Sequence, residues 1–169
     1  MNNPRTAIVK VAADYIGVKE VRPNWSPQIA EFWKATNYQD GAANREPWCA
    51  AFVCHVVQRA DAESDALRFP FPPKSASVAG WVEWARQPKV GAVLFKPNDA
   101  KYQPEPGDIV SFLPKLSHIG IVTGTDGNDV LTIEGNTNSA GSREGDRVAR
   151  KRRPLGFCGT FIRLPAVAK

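Results

Sequence analysis

Apolar positions recur at helical spacing through the first half of the chain and at strand spacing through the second. Ile8, Val11, Ala12, Tyr15 and Ile16 fall three and four residues apart, which predicts an amphipathic helix. Asn3-Pro4 reads as its cap and first residue, and Gly17 as its stop. Ser26-Pro27 repeats the start signal, and Ile29, Phe32 and Trp33 form the apolar face of a second helix ending near Asn37. A polar loop leads to Pro47, read as the first residue of a third helix. Its stretch from Ala50 to Ala60 lacks Gly and Pro and presents Phe52, Val53, Val56 and Val57 as one buried face. Asp61 to Lys74 is irregular, with three prolines. Ser75 or Ser77 then caps a fourth helix whose apolar face is Val78, Trp81, Val82 and Ala85, with Pro88 just beyond its end.

Beyond Pro88 the period changes. Val90–Phe95, Asp108–Phe112, Ile119–Thr123, Val130–Glu134, Val148–Arg152 and Phe157–Arg163 are short, rich in β-branched and aromatic residues, and separated by turns such as Asp126-Gly127-Asn128. Connections this short favour antiparallel pairing. Helices first and strands second predict an α+β fold, with N-terminal helices packed on a C-terminal antiparallel sheet. No repeat, linker or low-complexity tract interrupts the chain, so one domain spanning residues 1–169 is expected.

An apolar fraction of 43% and a charged fraction of 23% describe an ordinary globular chain. No apolar run approaches the ~20 residues of a membrane span, so membrane insertion is not expected. Lys10 and Asp14 break the only N-terminal apolar stretch. Synthesis in the cytoplasm without a Sec signal is therefore expected. The net charge of +5 suits anionic partners. The basic run Arg143, Arg147, Arg150, Lys151, Arg152 and Arg153 has no interleaved aromatics. It reads as a solvated hairpin rather than a nucleic-acid site. Three cysteines without a CxxC, and only two histidines, argue against a disulfide scaffold or a zinc site.

The chemistry centres on Cys49. A thiol at a helix start meets free backbone N–H groups and the positive end of the helix dipole, a setting that favours thiolate. His118 opens a strand in Ser117-His118-Ile119-Gly120-Ile121-Val122, and the next strand ends in Glu134-Gly135-Asn136. A hairpin turning at Asp126-Gly127 sets residues 119–122 against 130–133 and brings His118 beside Glu134. Either Glu134 or Asn136 could orient the imidazole, leaving its other nitrogen for the thiol, in the manner of cysteine and serine hydrolases. Cys54 lies about 500° further round the helix and points elsewhere. His55 likewise faces away, Cys158 is expected to be buried, and the five tryptophans are core, with Trp48 also able to wall a cleft.

Pro47-Trp48-Cys49-Ala50-Ala51-Phe52-Val53, Pro106-Gly107-Asp108-Ile109-Val110, Ser117–Val122 and Glu134-Gly135-Asn136-Thr137-Asn138 together resemble the CHAP family, the cysteine, histidine-dependent amidohydrolases/peptidases of the papain-like class. The motifs stand in the family's order, and the resemblance runs from about Trp33 to Phe161. It implies a CHAP-like catalytic domain that hydrolyses peptidoglycan, between sugar and stem peptide or within the peptide and its cross-bridge. It makes Cys49 the nucleophile, His118 the base, Glu134 the orienting acid and Asn136 an accompanying amide. Some members bind calcium just before the cysteine. Here residues 38–46 lack the repeated oxygen ligands, so no metal or other cofactor is expected. The partner is then peptidoglycan, with an immunity protein if the chain is an injected effector. The chain is expected to be a monomer acting in the periplasm or cell wall after release or injection, as a phage endolysin or an antibacterial effector. The competing readings are an intracellular amidase on a small peptide conjugate and an inactive wall-binding module.

Overall fold

The structure, a computed structural model, describes residues 5–63, 71–112, 117–138 and 145–165. The expected Asn3-Pro4 helix start and Arg143 lie outside these residues. Among the described residues four α-helices precede the sheet: α1 (Thr6–Asp14), α2 (Pro27–Trp33), α3 (Cys49–Glu63) and α4 (Val78–Ala85). The Ser26 hydroxyl caps α2 by accepting from the Ile29 N–H at 3.2 Å, and Ser77 caps α4 from the Gly80 N–H at 3.1 Å. α2 stops at Trp33 rather than near Asn37. Thr36 takes the Trp33 carbonyl with both its amide and its hydroxyl (3.0 and 2.8 Å), closing the last turn as an i→i+3 bond.

Two expectations about α3 are corrected. The Phe52 N–H donates to the Trp48 carbonyl at 2.9 Å, so Trp48 is the cap, Cys49 the first helical residue, and Pro47 lies one position outside. The helix also buries more than one face. Every residue from Cys49 to Cys54 is buried, because α1 and α2 pack on one side and the sheet on the other. Its solvent edge begins only with His55, Gln58 and Arg59.

The six strands are β1 (Val93–Phe95), β2 (Ile109–Phe112), β3 (His118–Asp126), β4 (Asp129–Thr137), β5 (Arg147–Pro154) and β6 (Cys158–Arg163). All pair antiparallel, in the order β1-β6-β2-β3-β4-β5. The β3–β4 hairpin turns at Gly127-Asn128 and sets Ile121 against Ile133 and Val122 against Thr132, close to the expected register. One sheet face carries Ile109, Ile119, Ile121, Ile133, Val148 and Ile162 against the helices. The other carries a smaller core of Phe95, Val110, Phe112, Val122, Val130, Cys158 and Phe161. Full burial of each such side chain stabilises by roughly 1.5–3 kcal/mol, which holds the helical layer to the sheet.

Pro106-Gly107-Asp108 belongs to this framework. Asp108 is fully buried and accepts from Arg163 Nη2 at 2.8 Å and Nε at 3.0 Å, and from the Glu105 N–H at 2.9 Å. Glu105 in turn bridges Arg163 and Arg5, tying the loop before β2 to β6 and to the residue that precedes α1.

Candidate active site

α3 and the β3–β4 hairpin assemble the site. Cys49 opens α3, 5% exposed, and His118 opens β3 at the end of the sheet, also 5% exposed. Glu134, on β4, is fully buried. Paired residues of an antiparallel ladder point the same way. The pairs Val110–Gly120, Phe112–His118 and Val130–Arg153 therefore set His118 and Arg153 on the sheet face turned from the helices. Glu134 shares that face, its Cγ lying over Gly120 where any larger residue would collide with it.

The imidazole is held at one nitrogen. His118 Nε2 lies 2.8 Å from Glu134 Oε2. An ionised carboxylate only accepts, so Nε2 carries the proton and Nδ1 is the basic nitrogen of the neutral ring. Nδ1 has no hydrogen-bond partner, and the Cys49 side chain is close enough to act on the ring's charge. The ring also stacks on Phe112, centroids 5.7 Å apart. Burial alone would push His118 down. The Cys49 side chain and the Glu134 carboxylate outweigh it and push the imidazole up to about 9. Of the two candidates at the end of β4, Glu134 and not Asn136 hydrogen-bonds the imidazole.

Glu134 is itself anchored. Oε1 accepts from Thr132 Oγ1 at 2.7 Å and from Arg153 Nε at 2.9 Å, and Arg153 Nη2 reaches Oε2. Burial would raise this carboxyl, but the hydrogen bonds from Arg153 and His118 hold it down at about 2. Arg153 corrects the reading of the basic run as a solvated hairpin. Arg150 and Arg152 are exposed, and Arg152 pairs with Asp126 and Asp129, while Arg153 is 8% exposed and turned inward. Its register on β4 turns it there, since the odd positions of β5 share the Glu134 face.

Asn136 is brought to the end of the same strand. It is fully buried with a positive φ of 54°, and neither atom of its amide has a hydrogen-bond partner. It does not contact the imidazole through a hydrogen bond.

A cleft of about 840 Å³ opens beside Cys49, lined by Trp33, Tyr38, Glu46, Pro47, Ser77 and Ser117 among others. The wall is Trp33 and not Trp48, which is fully buried with its indole N–H donated to Glu20 at 2.9 Å. Asn44 Nδ2 donates to the Tyr38 hydroxyl at 2.7 Å, leaving the phenolic proton free at the cleft. Among the described residues no three His, Cys, Asp or Glu side chains gather to hold a metal. Cys54 and Cys158 are free thiols that burial pushes up to about 12, with Cys54 donating to the Ser75 carbonyl at 3.2 Å. His55 packs between helices with Nε2 2.7 Å from the Tyr15 hydroxyl, away from the cleft.

Helices on an antiparallel sheet, with Cys at a helix start and His and Glu on adjacent strands, define a papain-like α+β protein. The crystal structure of Ly7917 has the same fold, with a TM-score of 0.51 at 13% identity over 97% of this chain and 63% of that one. Ly7917 with the hydrolyzing product of MDP gives 0.50 at 14% identity, over 96% and 63%. The chain thus spans just under two thirds of that relative's length. No curated protein sequence matches it. The CHAP domain model matches residues 41–136, and the chain belongs to the CHAP family, whose members are amidohydrolases and peptidases. No helix among the described residues is long and apolar enough to cross a membrane.

Proposed function

We propose that this protein cleaves an amide bond of peptidoglycan with Cys49 as nucleophile, as a single catalytic domain. The observation that carries the reading is an imidazole fixed at Nε2 by an anchored carboxylate, with its free Nδ1 left to the Cys49 side chain. His118 takes the thiol proton at Nδ1, and the sulfur attacks the carbonyl carbon. The same nitrogen then protonates the leaving amine. The Cys49 backbone N–H at the start of α3 is one donor to the developing oxyanion, and the Tyr38 hydroxyl, oriented by Asn44, is the second. Water hydrolyses the thioester through His118. Asn136 is kept as a site residue. A buried, unpaired amide in a strained backbone conformation costs about 1–3 kcal/mol, a penalty that a bound water or substrate group would remove.

The recorded complex of Ly7917 supports a substrate of the MDP kind. The bond is either N-acetylmuramoyl-L-alanine or one within the stem peptide or cross-bridge, and the setting is an endolysin or a secreted antibacterial effector. Mass spectrometry of purified peptidoglycan after digestion tests the proposal. A new free stem peptide identifies an amidase, and a split peptide identifies an endopeptidase. Iodoacetamide at neutral pH is expected to modify Cys49 far ahead of Cys54 and Cys158. Wall clearance undiminished in Cys49→Ala would end the reading.

A further inference from the structure

Arg153 is a charged group of the site that the proposed chemistry does not use directly. Arg153 presents Nε and Nη2 to the two oxygens of Glu134, a bidentate pairing that fixes both the charge and the direction of the carboxylate. Its guanidinium lies over the rings of Phe112, at 5.1 Å, and Phe157, at 5.7 Å. Phe112 also stacks on His118, so one ring braces both cations of the site. We infer that Arg153 is a positioning residue, which keeps Glu134 an anion aimed at His118 Nε2 and so sets the protonation of the base.

The groups around Glu134 explain why Arg153 has this role. Thr132 faces it from β4, His118 from β3, Arg153 from β5 and Cys158 from β6, while Cys49 reaches His118 from α3. Thr132 is neutral, Cys158 is a protonated thiol and His118 titrates. Arg153 alone among them carries a permanent charge. A fully buried carboxylate without it would favour its neutral form and would no longer hold a proton on Nε2 by charge. The relevance to catalysis rests on the function proposed above, but the coupling itself does not.

The test is NMR titration of the imidazoles in the substrate-free protein. The chain has only two histidines, so His55 serves as the internal control. In Arg153→Gln the His118 midpoint is expected to fall by about one pH unit or more, a tenfold change in proton affinity, with His55 unmoved. Arg153→Lys, which keeps the charge, is expected to stay near the parent. A Gln variant that titrates like the parent overturns the inference. So does a Lys variant that falls as far as Gln, and the Lys variant decides the matter if Gln does not fold. Because no substrate is present, this result is independent of whether Cys49→Ala abolishes wall hydrolysis.

Discussion

Gly135 on β4 packs directly against Phe52 of α3, and enlarging it should damage the site through packing alone. A Cβ at Gly135 would lie 2.8 Å from Phe52 Cβ and Cγ and 2.9 Å from Cδ1. Carbon atoms pack best at about 3.5–4.0 Å, so Gly135→Ala requires a retreat of roughly 1 Å. Phe52 cannot swing aside, because the crowded atoms lie at the root of its side chain, and its ring is held between Tyr15 and Phe32. The displacement therefore passes to α3, and Phe52 is one turn from Cys49. Overpacking of this kind costs about 1–3 kcal/mol. At about 2.1 cal/mol/K per residue for this length, the melting temperature should fall by about 3–8 °C. A shift of about 1 Å in a nucleophile can cost about 100-fold in rate, so alkylation of Cys49 and wall clearance should fall further than stability. Circular dichroism melts and iodoacetamide kinetics measure the two effects. Adding Phe52→Ala removes two of the three crowding atoms, and the double variant should be less destabilised than the sum of the singles. A Gly135→Ala protein that melts within about 1 °C of the parent and alkylates at the parent rate would refute the claim that this contact seats the helix.

The His118–Glu134 pair should bracket stability in pH. Glu134 is held at about 2 against an ordinary 4.5, so its contribution is complete above pH 4.5 and lost as pH falls toward 2. His118 is raised from 6.5 to about 9, so its contribution is complete below pH 6.5 and lost as pH rises toward 9. The two limbs share the His118–Glu134 contact and do not add, with Cys49 strengthening the alkaline limb and Arg153 the acid one. Urea midpoints should be highest between the limbs, and a midpoint still rising at pH 9 would contradict this. Asp108→Ala should cost about 1–3 kcal/mol, because the half-buried Arg163 loses its main partner but keeps Glu105 and the Gln103 carbonyl. Cys49 alkylation per folded molecule should be unchanged, and a loss below about 1 kcal/mol by urea unfolding would count against that network.

What the sequence made legible was local. Ser26-Pro27 and the Ser77 cap mark α2 and α4 because a cap is decided within three residues. The β3–β4 hairpin is legible from its two-residue turn, but the register that sets Glu134 on the His118 face also needs the irregularity between Val122 and Gly124, which the turn residues do not announce. The insertion of β6 between β1 and β2 is a distant pairing that no local signal announces. Arg153 was hidden for a related reason. In a run of consecutive cations, which one turns inward depends on how β5 registers on β4, and composition carries no trace of register. The two-residue error at the start of α3 arose because Pro47 suits a position just outside a helix as well as just inside.

The placement of β5 at the rim of the sheet has a consequence for how copies of this chain meet. Its first half is already covered: Gly17 donates to the Val148 carbonyl, the Val148 N–H donates to Val18, and Glu20 donates to Asp146. Its second half, residues 150–154, follows β4 at the sheet's margin and carries Arg150, Lys151, Arg152 and then Pro154. An open strand is a template on which another chain can continue the sheet. Like charges repel an identical strand and a proline offers it no N–H. One short basic segment thus divides its labour by residue: Arg153 serves the interior, while Arg150, Lys151 and Pro154 make this margin a poor template for a second copy.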